Sequence, residues 1–213
     1  RFSRLHTAVS VALLASLVWC LPAAGAEAPR YVFLFIGDGM GPAQCRLADI
    51  ASGQRTGSPM VMETFPVRGA IHTRSANSAV TDSAAAGTAM AAGVKTRNGM
   101  VGVTPDGEPV DPLCVPLRRA GMKIGLISSV PLNHATPAAF FAHSRSRNSY
   151  DEISAQLPGS GVNLVVGNGL MSPAGRQEEV IAAWEEAGLT VARSVAEATA
   201  AEPQAQVVGV LRY

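Results

Sequence analysis

The stretch VTDSAAAGTAMAAGVKT, residues 80–96, sets one acid and one hydroxyl, Asp82 and Ser83, directly ahead of a run of alanine and glycine. Ala84 to Ala92 predicts a helix, with Gly93 as its C-terminal stop. Side chains this small let neighbouring elements approach closely, so Ala86→Leu is expected to overpack the contact. Ser83 then lies at the helix N-terminus. There the unpaired N–H groups and the positive end of the helix dipole favour a negative charge, either a phosphate or a serine oxygen losing its proton. Asp and Ser are also preferred N-terminal capping residues, so the stretch alone supports a capping role as well as a chemical one.

On either side, short apolar runs alternate with helical patterns. YVFLFI (31–36), VRGAI (67–71), KIGLISSV (123–130), VNLVVG (162–167) and AQVVGVL (205–211) read as strands. PAQCRLADIAS, DPLCVPLRRAG, YDEISAQL and GRQEEVIAAWEEAG read as helices beside the Ala-rich run. Continuous apolar strands separated by helices predict an α/β fold, a largely parallel sheet sandwiched by helices, with sites at the C-terminal ends of strands. Residues 53–66 and 131–149 read as long loops, the usual carriers of function.

The 213 residues are 47% hydrophobic and 15% charged, a globular composition able to bury a core. Arg1 and Arg4, an apolar stretch from Ala8 to Leu21 and the small-residue site Ala24-Gly25-Ala26 form a secretory signal, too short for a membrane span. Cleavage is expected after Ala26; lipid attachment at Cys20 is the competing reading, against which the bulky Trp19 stands. Removing Arg1 and Arg4 from the 17 basic residues leaves 15 against 16 acidic ones. No basic patch points to nucleic acid. Of three cysteines, Cys45 and Cys114 remain in the mature chain, widely spaced, which excludes a zinc ribbon or a dense disulfide framework and leaves their pairing open.

The first apolar run leads into FIGDGMGP, which puts Asp38 between glycines. A dinucleotide fingerprint needs a third glycine where Pro42 stands. A carboxylate at such a turn repels a phosphate directly, but welcomes one through a bridging divalent cation; on this motif alone, Asp38 as a turn or capping residue is an equal reading. GTAMAAGVKT is no phosphate-binding P-loop either: five residues separate its glycines, Val94 intervenes before Lys95, and the segment lies within a helix.

Taken together, FIGDGMG, VTDSAAAGTAMAAGVKTRNGMVGV and NHATPAAFFAHSRSRNSY resemble the alkaline phosphatase family in order and approximate spacing, strongly from about Arg30 to Tyr150 and more weakly through VNLVVGNG. The resemblance implies an alkaline phosphatase-like fold and metal-dependent hydrolysis of phosphate monoesters through a phosphoserine. Ser83 matches the nucleophile, which is also a metal ligand. Asp82 matches the acid orienting the phosphate-binding arginine, and Arg147 that arginine, with Arg145 as the alternative. Asp38 matches a carboxylate bridging zinc and magnesium, and Thr136 a magnesium ligand. His134 stands where members carry Asp or His, as a direct ligand or an outer group. His72 and His143 match no ligand and read as packing or surface residues.

Two zinc ions and one magnesium are implied, with small phosphomonoesters as substrates, a homodimer for the full-length enzyme and a periplasmic or secreted location. The family takes further ligands from later in its chain, so residues 27–213 are expected to be the N-terminal part of an incomplete domain, binding zinc weakly and hydrolysing esters poorly by themselves. A related phosphodiesterase or sulfatase-like hydrolase, and an inactive secreted binding module, are the alternatives.

Overall fold

The computed structural model describes residues 29–172, 175–202 and 205–211. The segment read as a secretory signal, with the cleavage expected after Ala26, and Cys20 lie outside the described residues.

The chain divides into two compact units, residues 1–37 and 38–213. In the first, residues 31–36 are largely exposed and form no strand, which corrects the strand expected there. Its local contacts are a stack of Phe33 on Phe35, centroids 6.5 Å apart, and the Arg30 guanidinium over the Tyr31 ring at 5.6 Å. The VRGAI run in the second unit likewise forms no strand. A strand is defined by a neighbour that takes up its N–H and C=O groups, and an apolar run supplies only the capacity to become one.

In the second unit β1 (Gly125–Ile127), β2 (Leu164–Asn168), β3 (Thr190–Ala192) and β4 (Val207–Leu211) form one parallel sheet in the order β1-β2-β4-β3. Interior β4 is buried at all five positions, as expected of a strand covered on both faces. Val208 stands opposite Val165 and Val191 in the two neighbouring strands. Strand β3 escaped the sequence reading because three residues are too few to show a period.

The helices fall near their expected positions. Helix α1 (Pro42–Thr56) runs through Gly53 to stop at left-handed Gly57, so the loop expected from residue 53 starts later. It buries none of its residues. Helix α2 is Ser83–Ala92, capped at its C-terminus by Gly93 at φ 69°. Helix α3 (Cys114–Arg119) is shorter than the run DPLCVPLRRAG. Helix α4 (Ala135–Ala138) lies inside the stretch expected to be loop. Helix α5 (Tyr150–Ala155) is followed by α6 (Gln177–Glu186), whose buried Ile181 and Trp184 face inward; the Trp184 indole N–H donates to Ser154 O at 2.9 Å, joining the two helices. Helix α7 (Val195–Ala200), unforeseen, is capped by Ser194, with the Glu197 carboxylate accepting from Arg193 N–H.

Cys45 and Cys114 are free thiols. No helix among the described residues is long and apolar enough to cross a membrane.

Candidate active site

Helix α2 is placed by its small residues. Ala84, Ala85, Gly87, Thr88 and Ala91 are buried, and a Cβ added to Gly87 would stand 3.0 Å from the Ala139 Cβ and 3.6 Å from the Thr136 backbone. The close approach to α4 is therefore at Gly87. Ala86, where it was expected, is only half-buried. The buried Thr88 hydroxyl donates to Ala84 O at 2.9 Å and accepts from Gly102 N–H at 2.9 Å, tying α2 to the segment behind it.

This packing brings the N-terminus of α2 to residues from distant parts of the chain. Ser83 Oγ donates to Asp38 Oδ1 at 3.1 Å, and Thr136 Oγ1, on α4, donates to Asp38 Oδ2 at 2.9 Å. Asp38 itself sits in the glycine turn before α1, where Gly39 takes φ 69° and Gly41 precedes Pro42, a residue suited to a first helical position. The Asp82 carboxylate divides its work. Oδ1 accepts from Ala85 N–H at 2.9 Å and caps α2, while Oδ2 accepts from Arg147 Nη1 at 3.1 Å and from Gly99 N–H at 2.9 Å. Capping and orientation, alternatives in the sequence, coexist in one side chain.

Arg147 also directs Nη2 at His134 Nε2, 3.1 Å away. Guanidinium only donates, so Nε2 is the acceptor and a neutral His134 carries its proton on Nδ1. That Nδ1 is buried without a partner. The imidazole is held below its ordinary pKa, first by burial and then by the Arg147 charge, with Asp38 pulling the other way.

Arg145 is committed elsewhere: its Nη2 donates to Asp106 O at 2.7 Å, and its guanidinium fills the space a side chain on Gly107 would need. His143 Nδ1 contacts Gly102 O at 2.7 Å, and His72 is exposed with its carbonyl accepting from Lys95. Neither histidine joins the cluster. A cavity of about 300 Å³ lined by Gln177, Ile181, Arg193 and Val210 belongs to the α6 and β4 region and does not include the cluster residues.

The sequence reading overlooked Asn98, Gly99 and Asn133. Asn133 is buried, donates through Nδ2 to Ser154 Oγ at 3.0 Å and Met171 O at 2.8 Å, and accepts at Oδ1 from Met171 N–H at 2.8 Å. It thus fastens the turn that precedes His134. The Asn98-Gly99 pair carried a readable turn signal.

As a donor set for a cation, Asp38 with the Ser83 and Thr136 hydroxyls presents oxygen only, the ligand chemistry of magnesium. Among the described residues no group of three or more His, Cys, Asp or Glu side chains comes together as a zinc shell would require.

The alkaline phosphatase family profile matches residues 29–168, a span holding every residue of the cluster. The chain belongs to the alkaline phosphatase family. It is 37% identical over 130 residues to alkaline phosphatase 4 of Bacillus subtilis, covering 59% of this chain and 28% of that protein. With the human tissue-nonspecific isozyme it shares 35% over 138 residues, covering 58% of this chain and 26% of that protein. The cold-active alkaline phosphatase of a psychrophilic Shewanella superposes with a TM-score of 0.72 at 29% identity, over 82% of this chain and 44% of that one. A His-to-Asp mutant of the alkaline phosphatase from the Antarctic bacterium TAB5, solved with Mg bound in its M3 site, superposes with a TM-score of 0.68 at 26% identity, over 78% of this chain and 49% of that one. The chain thus spans less than a third of the length of these curated relatives and about half of these structures.

Proposed function

We propose that residues 27–213 are the nucleophile-bearing, N-terminal part of an exported phosphomonoesterase in which Ser83 accepts the phosphoryl group. The convergence of Asp38, Asp82, Ser83, Thr136 and Arg147 from four separate segments carries this reading, because capping accounts for Asp82 and Ser83 but not for the others.

In this reaction Ser83 Oγ gives up its proton and forms a bond to phosphorus as the ester P–O bond breaks, and that proton, passed on through solvent, goes to the departing alkoxide, which leaves as an alcohol. Water then adds to phosphorus, the Ser83 Oγ–P bond breaks, Ser83 regains its proton, and inorganic phosphate departs. The Ser83 hydroxyl proton points at Asp38 Oδ1, leaving the oxygen's lone pairs for phosphorus. Arg147 binds the equatorial oxygens through its planar fork, Asp82 aims that fork, and the N-terminus of α2 favours the added negative charge. Such a transition state is loose, so positioning and charge complementarity account for most of the acceleration.

Asp38, Ser83 and Thr136 are the residues that would hold divalent cations, magnesium and zinc by family membership, and a relative solved with Mg bound in its M3 site agrees with a hard cation in such a site. A divalent cation supplies charge neutralisation and lowers the pKa of the serine hydroxyl. His134, with Nε2 engaged and Nδ1 protonated, orients Arg147 in this arrangement and becomes a ligand only by releasing it. Two zinc ions require ligands from outside the described residues, so this chain alone binds zinc weakly and turns over poorly. The signal-like segment supports a periplasmic or secreted location, and family membership supports a homodimeric whole enzyme.

The test is to quench the full-length protein in acid after exposure to a labelled phosphomonoester, with and without chelator, and map the label. Phosphate on Ser83, lost with chelator and absent in Ser83→Ala, is expected. Label on Thr81 or Ser78 overturns the assignment, and no phosphoprotein with no turnover leaves a binding module.

A further inference from the structure

We propose that the Arg97–Met100 turn is the positioning element of the phosphate clamp, with Gly99 as its working residue; the inference rests on the phosphomonoesterase reading above. Three hydrogen bonds close a ring. Gly99 N–H donates to Asp82 Oδ2 at 2.9 Å, Arg147 Nη1 donates to the same oxygen at 3.1 Å, and Arg147 N–H donates to Gly99 O at 2.7 Å. One glycine thus holds the carboxylate that aims the guanidinium and also the backbone that carries it.

The ring depends on a conformation open to few residues. Met100 N–H donates to Arg97 O at 3.1 Å, closing a four-residue turn with Gly99 third, at φ 88°. Type II turns require that positive φ, favouring Gly and then Asn. A Cβ at Gly99 would meet nothing within 4 Å, so side chains differ there through backbone preference and not through collision.

Asn98 sets the turn against α2. It accepts from Asp82 N–H at 3.2 Å, donates through Nδ2 to Val80 O at 2.9 Å, and its own N–H reaches Asn77 Oδ1 at 2.9 Å. The segment leading into α2, its capping acid and Arg147, 65 residues from that acid, are therefore gauged from one turn. An arginine tethered at backbone and side chain loses little freedom on binding phosphate, which adds to the affinity its charge supplies.

The experiment measures inhibition by inorganic phosphate, together with KM, in the full-length enzyme. Gly99→Val is expected to raise the phosphate inhibition constant roughly tenfold by forcing the turn out of positive φ. Gly99→Asn is expected to recover most of that loss, since Asn accepts positive φ. Arg147→Ala weakens phosphate by itself, and adding Gly99→Val to it should change the constant less than about twofold, because a residue acting through Arg147 has nothing left to position.

An unchanged constant in folded Gly99→Val, or the full loss repeated in the Arg147→Ala background, overturns the inference and leaves the phosphomonoesterase reading standing. Phosphate affinity indifferent to Arg147→Ala overturns both. Should Gly99→Val fail to fold, Asn98→Ala carries the same prediction and the same coupling to Arg147.

Discussion

Strand β4 and the cluster around Ser83 are held by opposite means. Val207 to Leu211 are all buried, paired along their length with β2 and over Val207–Gly209 with β3, with largely Val and Leu side chains that have no preferred partner beyond shape. The Ser83 cluster buries only its supports, Ala84, Ala85 and Thr88; Asp82 and Arg147 keep about a quarter of their side-chain surface exposed and are set by directed hydrogen bonds. Burial at roughly 25 cal/mol per Å² supplies stability without choosing among geometries. Directed bonds choose a geometry, contribute about 1 kcal/mol each, and leave the groups open to a ligand. Stability and chemistry thus occupy different parts of one unit, and substitutions should separate them.

The largest effect is expected on the stability side. Trp184→Ala removes a side chain 2% exposed together with its bond to Ser154 O, and should cost about 3–5 kcal/mol in chemical denaturation. The phosphate affinity of the remaining folded protein should not move; a parallel loss of affinity would show that sheet and site are not separate.

Arg147→Ala should do the reverse. Loss of charge-assisted bonds to phosphate, worth about 1.5–3 kcal/mol, predicts a rise of roughly 10- to 150-fold in the phosphate inhibition constant. The partly exposed ion pair with Asp82 adds little to folding, so the melting temperature should change by only a few degrees. A large fall in melting temperature would place Arg147 among the structural residues.

Gly87→Leu joins the two sides. The space beside Gly87 is closed by the Ala139 Cβ at 3.0 Å, so a larger side chain should destabilise by about 1–3 kcal/mol and lower turnover by displacing Ser83 from Asp38. Ala86→Leu, on a half-buried position, should cost less. Equal effects from both would argue against a close contact centred on Gly87.

The smallest expected effect is a pH dependence at His134. Its folded pKa lies below the ordinary 6.5, so the unfolded chain binds more protons between the two values and stability rises with pH across that window. Stability from neutral His134 is fully present above about pH 6.5 and is lost as pH falls through the folded value. Denaturation followed from pH 8 to 5 should show a steeper acid loss in wild type than in His134→Gln, which has no such proton to gain.

Much of the site was legible in linear order because its signals are local. Asp82 ahead of small residues and Gly93 behind them mark both ends of α2, while the Gly-rich turn around Asp38 read equally as a turn residue until the structure set its carboxylate against Ser83 and Thr136. The choice of Arg147 over Arg145 was less legible. Two residues apart in one loop, they are separated by where the turn sends each side chain, one to Asp82 and the other to Asp106.

The sequence by itself determined the α/β class, the family, the limits of α2 and the identity of the chemical groups, since these rest on periodicity, capping and motif order. Only the tertiary structure decided which apolar runs become strands. YVFLFI is as apolar as VVGVL, yet residues 31–36 have no ladder in the described structure while 207–211 pair with β2 and 207–209 with β3 as well, because strand pairing is a long-range property that neither run encodes alone. The tertiary structure likewise decided that Asp82 both caps and aims, that Gly87 and not Ala86 meets α4, and that Gly99 stands between Asp82 and Arg147. Each of these is a matter of distances of about 3 Å between residues far apart in the chain, and hydrogen bonds and close contacts are sensitive to tenths of an ångström that no sequence spacing specifies.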